Sequence, residues 1–365
     1  MSLAVAAFTD TYLPTVNGVT YTVQTWRDRW AARDGRMHVV YPDADGHVPD
    51  RDEHPVRSIE FPFYEGFHAA LPQVPGSVHG VDVVHAHTPF SLGLAGRRLA
   101  GERDLPLIAS YHTPTAEYAD YLANGRLSDV IEGAAIRYER WYMNCADAVV
   151  VPSDPARRHL RELGIEVPIE IVPNGVDVER FRPVETDGLR ERHDLPDGPL
   201  VGYTGRHGYE KNLSAILEAV DGLDATVVFG GDGPARKALE ARAETVDAEV
   251  CFLGFLDREE LPAFYSALDV FAFPSPVETQ GLVALEANAC GTPVVGVNSG
   301  ALAETVVEGE TGYQFEAGEV ERFREGIERA LAERDRLSES CLDRRGRVSV
   351  EAAVDRLAEV YQQVS

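Results

Sequence analysis

The sequence predicts an α/β protein built from two Rossmann-like, doubly wound parallel-sheet domains, and three observations predict it. Short apolar runs alternate with longer amphipathic stretches almost from end to end, the pattern of parallel strands joined by helical crossovers. A chain of 365 residues with 44% hydrophobic side chains is too long for one ordinary domain and apolar enough for two cores. Between two series of apolar runs lies a stretch dense in Pro, Gly and Asp, from Pro173-Asn174-Gly175-Val176-Asp177 to Pro196-Asp197-Gly198-Pro199, which suits a linker.

Taken in order, the first series places strands at 3–8, 81–85, 107–110, 148–151 and 169–172. The second places them at 200–203, 226–229, 250–253, 270–273 and 293–297. The boundary is expected near residue 180, giving domains over 1–180 and 181–347. Residues 348–365 carry apolar side chains at Ala353, Leu357, Val360 and Tyr361 and read as an amphipathic helix with no strand after it.

Charge then excludes a class of partner. With 34 basic and 60 acidic residues the chain carries a formal net charge of -26, which argues against nucleic acid, whose binding depends on cationic neutralisation of phosphates. Residues 1–175 hold 15 basic and 23 acidic residues and 176–365 hold 19 and 37, so the N-terminal half is the less acidic. Only Lys211 and Lys237 are lysines. Two readings stand: a halophilic, haloarchaeon-like surface whose self-repulsion concentrated salt screens, or an acidic protein of an arginine-rich genome. Trp26-Arg27, Arg29-Trp30, Arg33 and Arg36 in one predicted helix, and Arg137 and Arg140-Trp141 in another, fit either a membrane interface or ordinary helices whose tryptophans face the core.

The four cysteines, Cys145, Cys251, Cys290 and Cys341, stand far apart without metal-binding spacing and are expected as buried thiols of a reducing compartment. No apolar run approaches the length of a membrane helix and the first residues read as a strand, so a cytoplasmic protein, soluble or at most peripheral to the inner face of the membrane, is expected.

Open parallel sheets bind ligands beyond the carboxyl ends of their strands, so the loops there are where chemistry is sought. The first loop, ending in Asn17-Gly18-Val19, is too long and too poor in glycine for a dinucleotide fingerprint. Gly18 there is either a close-approach position for a phosphate or a turn glycine. The richest loop is Pro274-Ser275-Pro276-Val277-Glu278-Thr279-Gln280-Gly281-Leu282, which leads into a helix carrying Glu286. The backbone N–H groups of Gln280, Gly281 and Leu282 form a helix N-terminus suited to phosphate, and Glu286, roughly two turns further in, can accept hydrogen bonds from both hydroxyls of a ribose or sugar. The loop Gly205-Arg206-His207-Gly208-Tyr209-Glu210-Lys211 supplies the cations: Arg206 as a planar fork and Lys211 as a point charge can clamp a diphosphate leaving group. His85-Ala86-His87 puts two imidazoles on one strand face, but no carboxylate partner lies near them, and no metal is expected.

Together these passages resemble the retaining, nucleotide-sugar-dependent glycosyltransferases of family 4, which have the GT-B fold. The resemblance rests on Asn17-Gly18-Val19, His85-Ala86-His87-Thr88-Pro89, Ser110-Tyr111-His112-Thr113-Pro114, Val151-Pro152-Ser153, Pro173-Asn174-Gly175-Val176-Asp177, Gly205-Arg206 with Lys211, the Glu278/Glu286 pair and Ala289-Cys290-Gly291-Thr292-Pro293, and it covers essentially the whole chain. It implies a C-terminal domain that holds the nucleotide sugar, an N-terminal domain that holds the acceptor, a terminal helix that crosses back to the first domain, and no metal or other cofactor. It further implies that Glu286 binds the ribose hydroxyls, Arg206 and Lys211 the diphosphate, and Glu278 the donor sugar hydroxyls. Gly18 is to offer its backbone amide to the phosphates across the cleft, and His112 to hydrogen-bond the sugar near the reacting carbon.

The Thr279-Gln280-Gly281-Leu282 run and the passage at 111–121 resemble the members that glycosylate lipids, so the expected reaction moves a hexose from a UDP- or GDP-sugar to a lipid or lipid-linked glycan. Alternatives are the same chemistry on a soluble saccharide, a GT-B epimerase, and a non-catalytic nucleotide-sugar-binding protein. A pyridoxal-dependent phosphorylase requires a Schiff-base lysine, and only Lys237 is left for it.

Overall fold

The computed structural model describes residues 3–60, 68–112 and 126–365, with the side chains of 126–130 excepted. The chain divides into two compact units, Met1–Gly175 with Val350–Ser365, and Val176–Ser349.

In the first unit β1 (Ala4–Phe8), α1 (Gly18–Ala31), β2 (Arg36–Pro42), β3 (Glu53–Val56), β4 (Ser58–Glu60), β5 (His68–Ala70), β6 (Val83–Ala86), α2 (Ser91–Arg103), β7 (Leu107–Ser110), α3 (Arg126–Met143), β8 (Ala148–Val151), α4 (Asp154–Glu162) and β9 (Ile169–Ile171) follow one another. Seven of these strands form a parallel sheet in the order β3-β2-β1-β6-β7-β8-β9, and β4 and β5 pair apart from it as an antiparallel ribbon. Alternation along β1 explains why its run is apolar throughout: Ala6 and Phe8 pack with Leu92 and Leu99 on one face, while Val5 and Ala7 pack with Trp26 and Leu357 on the other. The sequence did not mark β2 and β3. In β2 a buried histidine, His38, breaks the apolar run and is accommodated by stacking on His54 of β3, whose own sequence, EHPV, is the mixed composition of an edge strand.

The tryptophans of α1 are core residues. Trp26 and Trp30 are buried, their indole N–H groups donate to Asn174 O at 2.8 Å and Leu3 O at 3.1 Å, and Trp30 meets Tyr361 edge-on at 5.2 Å. A membrane role for this helix through its tryptophans is therefore ruled out. Trp141 of α3 is different, being 46% exposed with the Arg97 guanidinium 5.1 Å above its ring.

The second unit runs through α5 (Asp187–Arg192), β10 (Leu200–Thr204), α6 (Ser214–Val220), β11 (Thr226–Gly230), α7 (Arg236–Ala243), β12 (Val250–Gly254), α8 (Leu261–Ala267), β13 (Val270–Phe273), α9 (Leu282–Ala289), β14 (Val294–Val297), α10 (Leu302–Thr305), β15 (Gly312–Phe315), α11 (Val320–Ala332) and α12 (Arg334–Asp343). Its strands form a parallel sheet in the order β12-β11-β10-β13-β14-β15. The edge strand β15, with the sequence GYQF, also escaped the sequence pattern, being four residues of mixed polarity. In each sheet the order reverses once, between β1 and β6 and between β10 and β13, and such switch points open a crevice at the carboxyl ends of the strands.

The last helix, α13 (Val350–Val364), belongs to the first unit. Val354, Leu357 and Val360 enter the core beside Trp26, and Arg29 and Arg33 pair with Glu351 and Asp355 at 2.9 and 2.7 Å. All four cysteines are free; Cys290 and Cys341 are buried, whereas Cys145 and Cys251 are only partly so, against the expectation of four buried thiols. Among the described residues no helix is long and apolar enough to cross a membrane.

Candidate active site

At the switch point of the second unit, the loop after β10 carries Arg206 and Lys211 and the loop after β13 carries Glu278, Gln280 and Gly281. The two meet directly: Lys211 Nζ donates to Glu278 Oε1 at 2.7 Å, with both side chains mostly buried. Arg206 Nη2 donates to Glu210 Oε1 at 2.5 Å within its own loop. Both candidate cations are thus carboxylate-paired, an arrangement that the spacing of the sequence did not indicate.

The β13 loop is tied down along its length. Ser275 Oγ donates to Val277 O at 3.3 Å, Ser299 Oγ to Pro276 O at 2.9 Å, Ala301 N to Glu278 O at 3.1 Å and Thr305 Oγ1 to Gln280 O at 2.8 Å. Gly281 caps α9 with φ 72° and ψ 52°, a left-handed conformation, and a Cβ there would stand 2.7 Å from Leu302 Cδ2, so only glycine fits. Helix α9 starts at Leu282, which puts Glu286 little more than one turn inside rather than two. Ala284 N donates to the carbonyl of the capping Gly281 at 3.0 Å, and the start of the helix carries the positive end of its dipole.

Glu286 is buried, and its Oε2 accepts a hydrogen bond from the Tyr265 hydroxyl at 2.8 Å. Burial raises its carboxyl to about 7, against the opposing pull of Arg258, the Tyr265 hydrogen bond and Arg180. Tyr265, Arg258 and Arg180 carry no local signal in the sequence, because each reaches Glu286 only through the fold.

A third loop was missed, although a signal for it existed: Gly230-Gly231-Asp232-Gly233-Pro234 directly follows a predicted strand. It braces the cation loop, with His207 N donating to Asp232 O at 2.8 Å and Ala235 N to His207 O at 2.8 Å. At Gly231, with φ 98°, a Cβ would lie 2.0 Å from Gly205 O. Gly231→Ala is expected to destabilise this unit by about 1–3 kcal/mol, the scale of a forced backbone conformation, and an unchanged melting temperature would contradict that.

In the first unit Gly18 opens α1, exposed and with nothing within 4 Å of a Cβ built on it, behind Asn17, whose side chain accepts from Thr20 N at 2.9 Å. The preceding loop is anchored by buried Asp10, which accepts from Thr88 Oγ1 at 2.6 Å, Ser91 Oγ at 2.7 Å and Leu92 N at 3.1 Å. His112 follows β7 by two residues, and its Nε2 lies 3.1 Å from His87 Nδ1, with the rings stacked at 5.4 Å. His87 stacks in turn on His85 at 4.1 Å. Both ring nitrogens of His85 are engaged, by Tyr361 Oη at 2.7 Å and Ser110 Oγ at 2.8 Å. Burial lowers all three imidazoles, His85 to about 3, His112 to about 4 and His87 well below its ordinary value, so the stack is neutral at physiological pH. Among the described residues no group of three His, Cys, Asp or Glu is placed to hold a metal ion. The run at 113–121 lies outside the described residues.

The chain is similar to known proteins over most of its length. Residues 186–344 match the family described as Glycosyl transferases group 1, and residues 16–180 match Glycosyltransferase Family 4. The alpha-monoglucosyldiacylglycerol synthase of Streptococcus pneumoniae is 31% identical over 80% of this chain and 70% of its own length. The GDP-mannose-dependent alpha-mannosyltransferase of Mycolicibacterium smegmatis is 32% identical over 85% and 84%. Among solved structures, sucrose-phosphate synthase from Thermosynechococcus elongatus superposes with a TM-score of 0.79 at 22% identity, covering 99% of this chain and 98% of its own. Anabaena HepE in complex with UDP and glucose gives 0.78 at 19%, covering 99% and 100%. The likeness to these structures shows the fold, and the identity to the sequence relatives shows the family. The chain therefore belongs to the family 4 glycosyltransferases and is a glycosyltransferase with the GT-B fold.

Proposed function

We propose that this enzyme transfers a hexose from a UDP- or GDP-sugar, with retention of configuration, to a lipid or lipid-linked glycan. The observation that carries the donor side is the convergence of Lys211 and Glu278 at 2.7 Å at a switch point that also holds Arg206, with buried Glu286 on the helix that follows. Arg206 and Lys211 are a cationic fork and point charge for the diphosphate, and they stabilise the charge that builds on it as the glycosidic bond breaks. Glu286 accepts the ribose hydroxyls and Glu278 the hydroxyls of the sugar. The amides of Gln280, Gly281 and Leu282 supply further donors to the donor's anionic groups. Gly18 contributes its amide to the phosphates, and neutral His112 a hydrogen bond to the sugar. No metal is assigned a role.

The lipid acceptor is supported by a basic and aromatic surface on α2 and α3, where Leu94, Arg97, Arg98, Arg137, Arg140 and Trp141 are all exposed on a chain of net charge -26. Such a surface suits the anionic inner face of a membrane. The alpha-monoglucosyldiacylglycerol synthase among the relatives is named for a glycolipid, which supports the same reading. The acid-coated, lysine-poor composition supports work at high salt.

Calorimetry with UDP-, GDP- and ADP-sugars, followed by transfer of radiolabelled sugar into a lipid extract at low and multimolar KCl, tests this reading. Binding of a UDP- or GDP-sugar and label in the organic phase are expected. Binding of ADP-sugar alone would overturn the donor assignment, and label confined to water-soluble saccharides the acceptor.

A further inference from the structure

In the free protein the lysine assigned to the donor's diphosphate already holds an anion. Glu278 stands 2.7 Å from Lys211 Nζ, and the two side chains are only 16% and 19% exposed. The pair joins loops 67 residues apart and is shielded from most of the solvent that would weaken it. The backbone on the glutamate side is held, since Glu278 O accepts from Ala301 N at 3.1 Å. On the other side the Lys211 amide donates to Gly208 O at 3.1 Å. A phosphate that takes Lys211 must therefore displace or share the Glu278 carboxylate by side-chain rotation alone, between two held backbones.

We propose that Glu278 is an internal counter-anion of the diphosphate subsite, and that it makes the enzyme prefer an intact nucleotide sugar over the nucleoside diphosphate that it releases. The inference rests on the reading above, in which Lys211 meets the diphosphate and Glu278 the sugar. When the sugar is attached, its hydroxyls donate to the carboxylate that the phosphate has displaced, so both partners of the broken pair find new ones. When the sugar has left, the displaced carboxylate loses those donors. It then faces a terminal phosphate that carries more negative charge than the sugar-esterified one, because a second ionisation with a pKa near about 6 becomes available to it. Leaving one member of a shielded ion pair without a partner is costly, and the free nucleotide bears that cost while the donor does not. Re-formation of the Lys211–Glu278 pair then favours departure of the product.

The test is the ratio of two affinities. Kd is measured by calorimetry for UDP against UDP-glucose and for GDP against GDP-mannose, in the wild type, Glu278→Gln and Lys211→Ala, at one salt concentration. Glu278→Gln keeps the shape of the side chain and removes its charge. It is expected to tighten the nucleoside diphosphate about tenfold, the low end of coupling measured for close charge pairs, and to weaken the nucleotide sugar. General damage to the site would weaken both ligands, so it cannot produce this result. Unchanged or weakened diphosphate binding in Glu278→Gln, or an equal change for both ligands, overturns the proposal. Failure of the underlying reading looks different: neither nucleotide pair binds the wild type, or Lys211→Ala leaves diphosphate affinity where it was.

Discussion

Replacing Lys211 by alanine is expected to lower kcat/KM by about 10²-fold or more, and Arg206→Ala to do the same, the scale for losing one charge-stabilising group from a preorganised site. The reason is differential. The bond that breaks leaves its electron pair on the nucleoside diphosphate, so negative charge on the phosphate oxygens is larger in the transition state than in the bound donor. A fixed cation beside them lowers the barrier more than it tightens the ground state. Lys211 is partly shielded from solvent and its Nζ already makes one charged hydrogen bond, so its position is fixed before the donor arrives. The two variants differ in what they leave behind. Lys211→Ala takes an ion-pair partner from Glu278, whereas Arg206→Ala takes one from Glu210, which is more open to solvent, so the lysine variant is expected to lose more. Steady-state kinetics with the preferred donor check both, and a transfer rate unchanged by either substitution would remove that residue from the diphosphate site.

Nucleotide binding is expected to strengthen as pH rises through about 7 and to level off above it, with Glu286 as the titrating group. The carboxylate form is the one that accepts two ribose hydroxyls, while the protonated form has already spent one oxygen on a proton. Below pH 7 affinity should therefore fall, by up to about tenfold per pH unit. The same group makes a linked prediction for stability. Its carboxyl is raised in the folded state from an ordinary value of 4.5 to about 7, so between those values the folded protein binds more protons than the unfolded chain. Stability associated with Glu286 is then full below pH 4.5, is lost as pH rises through about 7, and stays lost above it. The ionised form costs about 3 kcal/mol in the free protein. Glu286→Gln, which keeps the Tyr265 hydrogen bond and never ionises, is expected to raise the melting temperature at pH 8 and to change it little at pH 5, while weakening nucleotide binding and flattening its pH profile. Affinity independent of pH between 6 and 8 in the wild type, or equal destabilisation by Glu286→Gln at both pH values, would contradict the assignment.

Much of the fold was legible because a parallel sheet covered on both faces has a plain signature. Each of the ten expected strands coincides with an observed one, since runs such as Ala4–Phe8 and Val270–Phe273 bury every face and must be apolar throughout. The strands that escaped were β2, β3 and β15 of the two sheets, where an edge position or a histidine buried by a partner breaks the run, and the three-residue strands β4 and β5 of the separate ribbon. The tryptophans of α1 could not be placed from composition alone, because the same Trp and Arg pattern serves a membrane face and a helix whose indoles turn inward. Their partners, Asn174, Leu3 and Tyr361, come from three other parts of the chain.

The sequence by itself determined what is local: two series of strands, the helix start after β13, the cations after β10, and the carboxylates on either side of that helix start. Turn chemistry, periodicity and charge act over a few residues, so they can be read without a structure. Which of those groups touch was decided only by the tertiary structure. Lys211 meets Glu278 across 67 residues, Tyr265 meets Glu286 across 21, and His85 meets Tyr361 across 276. The order of strands in the sheets brings such groups together, and apolar runs of nearly uniform composition do not specify which strand lies beside which. The physical state of the site follows from those contacts. A lysine and a glutamate that the sequence assigns to different parts of the donor neutralise each other in the free enzyme, and a carboxylate that reads as an ordinary anion is held by burial near its protonation point.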